Sequence, residues 1–139
     1  MSRQLNLWDM PSLNPIPRVK EAMRISLKEC GLSRDQVVDE MNRLASLDGI
    51  STNGKAKKIT ADILDKWVSP GCDHIIPWKL LPIFCKVVGD LAPLRALVAP
   101  LGATLIDQEE ANLLKWAKTE MQSRKLRKVK KKLEEEIGL

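Results

Sequence analysis

The sequence predicts an all-α fold in which several short helices are followed by one long C-terminal helix. Three observations support this prediction. Leu, Ala, Lys and Glu are abundant in the 139 residues, and all four favour helix. Apolar residues, 44% of the chain, recur at the three- and four-residue spacing of a helix face. Proline or a capping residue precedes several of these segments, and glycine follows several of them.

The periodic segments predict three parts, with boundaries at breaks in the pattern. Residues 1–15 are predicted to be an N-terminal arm, because Pro11 and Pro15 interrupt any helix there. Residues 16–106 form the helical domain, and residues 107–139 form a charged C-terminal helix. Ser33 and Gln36 match the capping-box pattern, and Thr60 is a second cap candidate. The short helices of the domain are predicted at 16–31, 33–44, 61–69, 77–89 and 91–102.

The connection before the third helix is predicted to be exposed and basic. Gly49 and the pair Asn53-Gly54 interrupt the helical pattern. Asn-Gly also closes many two-residue hairpins, so a loop and a small hairpin over residues 48–58 are both open.

Composition favours a polyanionic partner and argues against export. The net charge is +5 and the isoelectric point is about 9.2, which favours but does not require nucleic acid. Residues 124–132 concentrate this charge, with seven basic side chains and no acid. No apolar run is long enough to span a bilayer, and the N-terminus lacks the pattern of a signal peptide. With three cysteines, a reduced cytoplasmic protein without a membrane partner is expected.

Two resemblances follow from particular residues. The segments "SRDQVVDEMNRL", "ITADILDKWVSPG" and "IPWKLLPIFCKVVGD" resemble the helix-turn-helix core of the lambda-repressor/Cro-like class over residues 16–90. The whole chain also resembles a family of small proteins of Mu-like prophages, which share a "RQLNLWD"-type start and a "LDKWVSP…IP…LLPIFC" centre. These resemblances imply a phage or prophage DNA-binding domain. The positions that match the helix-turn-helix pattern are Ser33, Val37, Met41, Ile63, Trp67, Gly71, Leu80, Leu81 and Gly89.

A helix-turn-helix domain presents the outer face of its second helix to base edges in the major groove. Here that face predicts base contacts from Ala61, Asp62, Asp65 and Lys66. Backbone phosphates would be held near the preceding helix and the connection, by Ser33, Arg34, Lys55, Lys57 and Lys58. Two features oppose this interpretation. The connection is about a dozen residues instead of three or four, and the two aspartates repel phosphate.

The C-terminal helix supports two further expectations. Leu126, Val129 and Leu133 have a coiled-coil spacing, which predicts a homodimer through this helix. An earlier stripe of Leu114, Ala117 and Met121 is out of heptad register with them. The basic residues of this helix are either a solvated face or additional DNA-backbone contacts. The candidates for such contacts are Arg124, Lys125, Arg127 and Lys128.

Other chemistry has little support in the sequence. Cys72, Asp73 and His74 are close together, but a zinc site needs four ligands in paired spacing, so no metal is predicted. Cys30 and Cys85 lie on apolar helix faces and are predicted to be buried. No Ser-His-Asp arrangement or glycine-rich phosphate loop occurs, so we expect neither an enzyme nor a cofactor nor a small-molecule substrate.

The sequence therefore predicts a sequence-specific DNA-binding protein, a phage or prophage transcriptional regulator that acts by occupying DNA. Two alternatives remain open. One is a helical protein-interaction module of a phage or mobile element. The other is non-specific nucleic-acid binding through the basic C-terminal helix alone.

Overall fold

A computed structural model describes residues 12–52 and 58–139. The described residues contain helices and no strand, which confirms the all-α prediction and the long C-terminal helix. The chain divides into two units, of which the first ends at Leu105 and the second is Ile106–Leu139. The helices are α1 (Ile16–Glu29), α2 (Arg34–Leu47), α3 (Ala61–Val68), α4 (Leu81–Val88), α5 (Ala92–Val98), a 3-10 turn (Ala99–Leu101) and α6 (Gln108–Glu136).

The first unit is held together by one apolar core. Helix α1 contacts α3 and α5, and α2 contacts α3 and α4, so α3 lies against both of the first two helices. The core is centred on side chains that are fully buried: Met23, Val37, Met41, Leu64, Leu80 and Phe84. Burying a side chain of this size contributes about 1.5–3 kcal/mol to stability. Helix α3 is only eight residues long, so its stability must come mainly from this packing.

The starts of helices α2 and α3 are capped as the sequence predicted. The Ser33 hydroxyl accepts the Gln36 N–H at 3.1 Å, and the Gln36 side-chain oxygen accepts the Ser33 N–H at 2.9 Å. This reciprocal pair is the predicted capping box. The Thr60 hydroxyl accepts the Ile63 N–H at 3.3 Å at the start of α3. Both caps lie at the surface of the first unit.

Several helix boundaries differ from the prediction, and the differences in α4, α2 and α5 are among the largest. Helix α4 begins at Leu81 instead of Pro77, because Pro82 is tolerated only in the first turn, where its missing N–H has no partner in the helix anyway. Helix α2 continues to Leu47, three residues beyond the predicted end. The segment predicted as one helix over 91–102 is α5 followed by the 3-10 turn, with Pro100 lying inside that turn.

The two cysteines predicted to be buried have different environments. Cys85 is buried in α4, and burial raises the pKa of its thiol from 9.0 to about 11. Cys30 is only half-buried, so the prediction was wrong for this residue. It follows the last turn of α1 and packs against the edge of the core, and its Sγ contacts the Leu27 carbonyl oxygen at 3.2 Å.

Parts of the predicted arm and connection lie outside the described residues. Residues 12–15 lead into α1 without regular structure. The segment with Asn53-Gly54, Lys55 and Lys57 lies outside the described residues, between residues 48–52 and 58–60. The choice between a loop and a hairpin over residues 48–58 therefore stays open. Within the part of the chain that the structure describes, no helix has the length and apolarity needed to span a membrane.

Candidate nucleic-acid interface

Helix α3 has one face in the core and the other at the surface. Leu64, Trp67 and Val68 are buried and Ile63 is half-buried. The opposite face carries three of the four predicted base-contact residues, Asp62, Asp65 and Lys66, all of which are exposed. The fourth, Ala61, is half-buried at the first position of the helix. The outer face of α3 therefore presents two carboxylates and one ammonium group.

The start of α3 is anchored to α2 by Asn42. The Asn42 side-chain oxygen accepts the Ile59 N–H, and its amide nitrogen donates to the Ile59 carbonyl, both at 2.9 Å. Ile59 is itself buried, so these two backbone groups have limited access to water. A single side chain thereby satisfies both backbone groups and fixes the chain one residue before the Thr60 cap.

The end of α3 is anchored to α1 by a buried lysine. Lys20 is 3% exposed, and its ammonium group donates to the carbonyls of Lys66 and Trp67 at 3.0 Å each. It also donates to the carbonyl of His74 at 2.6 Å in the segment that follows α3. A cation is favourable at a helix C-terminus, where carbonyl groups lack partners within the helix. Lys20 therefore holds both the last turn of α3 and the chain beyond it.

The exposed N-terminus of α2 lies beside the outer face of α3. An Arg34 guanidinium nitrogen, Nη1, is 2.5 Å from the Asp65 carboxylate oxygen Oδ1. The side chains of Arg34 and Asp65 are 48% and 54% exposed, so water screens this ion pair. Arg34, a predicted phosphate contact, and Asp65, a predicted base contact, are thus paired with each other in the free protein. Binding DNA through either residue requires this ion pair to open or to be shared.

The described residues of the surface formed by α2 and α3 carry no excess of positive charge. Residues 33–52 and 58–66 carry six acidic and four basic side chains. One of the basic residues, Arg43, hydrogen-bonds to Glu40, and this contact lowers the pKa of the Glu40 carboxyl. Arg34 is paired with Asp65, so Lys58 and Lys66 are the other exposed cations among the described residues of this surface. Attraction of phosphate to this surface alone is therefore expected to be weak.

The strongest positive charge lies in the second unit, on α6. The four predicted contacts Arg124, Lys125, Arg127 and Lys128 are all exposed, as are the lysines 130–132. Arg124 and Arg127 share the carboxylate of Glu120, at 3.3 Å and 3.4 Å. These exposed pairs contribute little energy and do not prevent a phosphate contact.

Ser33, Arg34, Lys58 and the four residues of α3 belong to the first unit, where Arg34 and Asp65 are in direct contact, and the basic candidates 124–128 belong to the second unit. Lys55 and Lys57 lie outside the described residues. Sequence reasoning missed the two anchors, Lys20 and Asn42. For Lys20 a signal existed, because it precedes Met23 by three residues and Leu27 by seven, on the buried stripe of α1. No local pattern marked Asn42.

The cysteine and histidine of the segment after α3 are in contact. The Cys72 Sγ lies 3.3 Å from the His74 Nδ1. No third side chain completes a ligand set there: in residues 12–52 and 58–139, no group of three His, Cys, Asp or Glu residues is placed to hold a metal ion. The contact between these two side chains is a surface feature of the segment.

An apolar cleft of about 190 Å³ lies on the first unit, next to the end of α3. The start of α1 forms one wall, with Pro15, Ile16 and Val19, and Trp67 and Leu97 also line it. Trp78 lies at the cleft and is 86% exposed.

No protein-family model, curated protein or solved structure matches this chain.

Proposed function

We propose that this protein binds DNA and recognises sequence through the outer face of α3, as a regulator that acts by occupying DNA without catalysis. The observation that supports this best is that α3 is held firmly in the first unit with one face exposed. Its inner face closes the core, its two ends are anchored by Asn42 and Lys20, and its outer face is exposed. A rigid helix with an exposed polar face is the element that base recognition in the major groove needs.

In this proposal the polar side chains of α3 have distinct partners. Lys66 donates to guanine, whose O6 and N7 atoms are acceptors in the major groove. Asp62 and Asp65 accept hydrogen bonds, and cytosine N4 is the donor that a carboxylate prefers among the bases. The two aspartates disfavour any placement near phosphate. The preferred duplex is therefore expected to contain G·C pairs opposite α3.

Affinity for the phosphate backbone comes mainly from α6 in this proposal. The described residues of the α2–α3 surface carry six acidic and four basic side chains, so these residues attract a polyanion weakly. Residues 124–132 carry seven basic side chains on an exposed helix. Ser33 and Arg34 add contacts close to α3, and their role is to position the helix instead of supplying bulk affinity.

A binding selection on random duplexes tests the recognition role of α3. Wild type should enrich particular duplexes. Lys66→Ala and Asp65→Ala should each change the preferred base pairs, because removing one base contact lowers discrimination by roughly 1–3 kcal/mol. Lys86→Ala and Asp73→Ala remove the same exposed side-chain types elsewhere on the first unit and should leave the preference unchanged.

Two outcomes would contradict this proposal. If folded wild type enriches no duplex, α3 does not recognise DNA. If a preference exists but neither α3 variant alters it, another surface makes the base contacts. In the first case the second candidate, a protein-interaction module, takes its place. One observation favours that candidate: the described residues of the α2–α3 surface carry more acidic than basic side chains.

A further inference from the structure

The apolar cleft beside the end of α3 has exposed hydrophobic side chains along it. Trp78 and Ile75 both line the cleft, and they are 86% and 49% exposed. An aromatic side chain has a large apolar surface, and an exposed apolar patch commonly marks a binding site. The cleft and these two side chains therefore form a surface that is suited to an apolar partner.

The volume of the cleft indicates the size of that partner. Sites for drug-sized molecules have volumes of about 300–1,000 Å³, whereas this cleft has a volume of about 190 Å³. An apolar cavity of about 150 Å³ is large enough for benzene. Lys20 also lines the cleft, but its ammonium group already donates to three backbone carbonyls, so it offers no free donor to an anion. The cleft therefore suits a single aromatic side chain.

The N-terminal segment of the chain contains a side chain of this kind. Residues 1–11, "MSRQLNLWDMP", lie outside the described residues. Their sequence is rich in large apolar side chains and has Trp8 as its single aromatic residue. Only Arg3 and Asp9 carry charged side chains. Burying the apolar part of this segment would therefore require little desolvation of charge.

The described residues start close to the cleft. Pro15 and Ile16 line it. The chain before them is held by side-chain hydrogen bonds: the Asn14 Oδ1 accepts the Ile16 N–H at 3.1 Å, and the Ser12 hydroxyl accepts the Asn14 N–H at 3.2 Å. Trp8 is seven residues before Pro15, a stretch that spans at most about 25 Å. So short a tether gives an effective concentration in the millimolar range, which favours this segment over a separate protein.

We propose that residues 1–11 dock on this cleft of their own chain, with the Trp8 indole in the cleft and in contact with Trp78. The occupant has the size and the apolar character that the cleft requires, and the tether places it there. Docking would remove apolar surface of both tryptophans from water. This contact does not use the exposed face of α3, so it is independent of DNA binding by that helix.

A synthetic peptide of residues 1–11 tests this inference on the whole chain. Trp8→Ala removes the proposed occupant, so this variant should bind the added peptide in its cleft. Wild type should bind the peptide about tenfold more weakly, because a tethered segment that occupies the cleft about nine-tenths of the time leaves about one-tenth of it free. Trp116→Ala removes an exposed tryptophan of α6 and should bind the peptide as weakly as wild type does. A peptide with Trp8→Ala should not bind.

Methyl NMR spectra locate the contact. Peptide binding to the Trp8→Ala variant should shift the methyl resonances of Val19, Ile76 and Leu97, which line the cleft. The same resonances should differ between wild type and Trp8→Ala without peptide, and should be equal in wild type and Trp116→Ala.

Four results would overturn the inference. The first is that Trp8→Ala binds no peptide at millimolar concentration, and the second is that wild type binds the peptide equally well. The third is that the peptide shifts resonances away from the cleft. The fourth is that the wild-type positions of the cleft resonances appear only as protein concentration rises, which would place the segment on another copy of the chain.

Discussion

At the scale of single residues, Lys20 has the most specific structural role. It is buried, and its ammonium group donates to three carbonyls at 2.6–3.0 Å. We predict that Lys20→Met destabilises the protein by about 2–3 kcal/mol. Methionine retains most of the volume but leaves buried carbonyls without a donor. Urea unfolding measures this, and Lys28→Met, at an exposed position of α1, serves as the control.

The same substitution should loosen the last turn of α3 before the whole domain unfolds. Hydrogen exchange of the amide groups at residues 66–69 reports this local effect. If Lys20→Met is as stable as Lys28→Met, the three hydrogen bonds contribute no net stability, and α3 is held by apolar packing alone.

The thiol of Cys85 gives the protein a specific pH dependence. Burial raises its pKa from 9.0 to about 11, so the folded protein keeps the proton that the unfolded chain begins to lose near pH 9. The contribution of the protonated Cys85 thiol to the free energy of unfolding is therefore complete below pH 9 and is lost as the pH rises through 11. We predict that wild type loses more stability over this range than Cys85→Ala.

Urea unfolding of both proteins at intervals from pH 8 to 11 checks this prediction. Lysine titration affects both proteins equally, so the difference between them isolates the thiol. If the free energies of unfolding of the two proteins, plotted against pH, stay parallel across the range, Cys85 ionises equally in the folded and unfolded chains.

At the scale of helices, periodicity predicted which segments are helical but not where each begins. Pro77 and Pro82 both suit the first turn of a helix, and the sequence alone favoured the earlier one. A helix begun at Pro77 would place Pro82 beyond its first turn, where the ring clashes with the preceding turn. The structure resolves this conflict by starting α4 at Leu81 and leaving Pro77 in a turn, where the Leu80 N–H donates to the Pro77 carbonyl at 2.9 Å.

The orientation of α3 depends on a contact that helical periodicity does not encode. Asn42 and Ile59 are 17 residues apart, and they meet only because α2 and the segment before α3 are packed together. We predict that Asn42→Ala lowers stability by about 1–3 kcal/mol, because it leaves the N–H and carbonyl of a buried residue without partners. Thermal unfolding measures this destabilisation, and Asn112→Ala on the exposed surface of α6 is the matched control.

A second effect of Asn42→Ala separates orientation from stability. At a temperature where the variant remains folded, exchange of the Ile59 amide hydrogen should be faster than in wild type, with the α1 core amides still protected. Equal protection of Ile59 in the two proteins would mean that the α2–α3 packing alone positions this segment.

At the scale of the whole molecule, the sequence predicted the exposed face of α3 better than the charge around it. The apolar stripe of Leu64 and Trp67 indicates which side of α3 is buried. The opposite side, with Asp62, Asp65 and Lys66, is therefore predicted to be exposed. Two features depended on tertiary structure. The ion pair between Arg34 and Asp65 joins residues 31 apart, and the anchors Lys20 and Asn42 act across helices. Local spacing carries no information about such pairs.

The distribution of charge leads to a prediction about the salt dependence of DNA binding. One variant carries Arg124→Gln, Lys125→Gln, Arg127→Gln and Lys128→Gln on α6. Its control carries four glutamines in place of exposed basic residues of the first unit: Arg18, Lys28, Lys79 and Lys86. Each variant lowers the net charge from +5 by four, so the two differ only in where positive charge is removed.

Each phosphate contact releases counterions and adds about 0.9 to the slope of log affinity against log salt concentration. We predict that the α6 variant lowers the slope for a random duplex by about 2–4 units, and that the control lowers it by less than about one. Fluorescence anisotropy across a series of KCl concentrations measures both slopes. Equal reductions would show that DNA responds to net charge and not to the basic segment of α6. A larger reduction in the control would instead place the backbone contacts on the first unit.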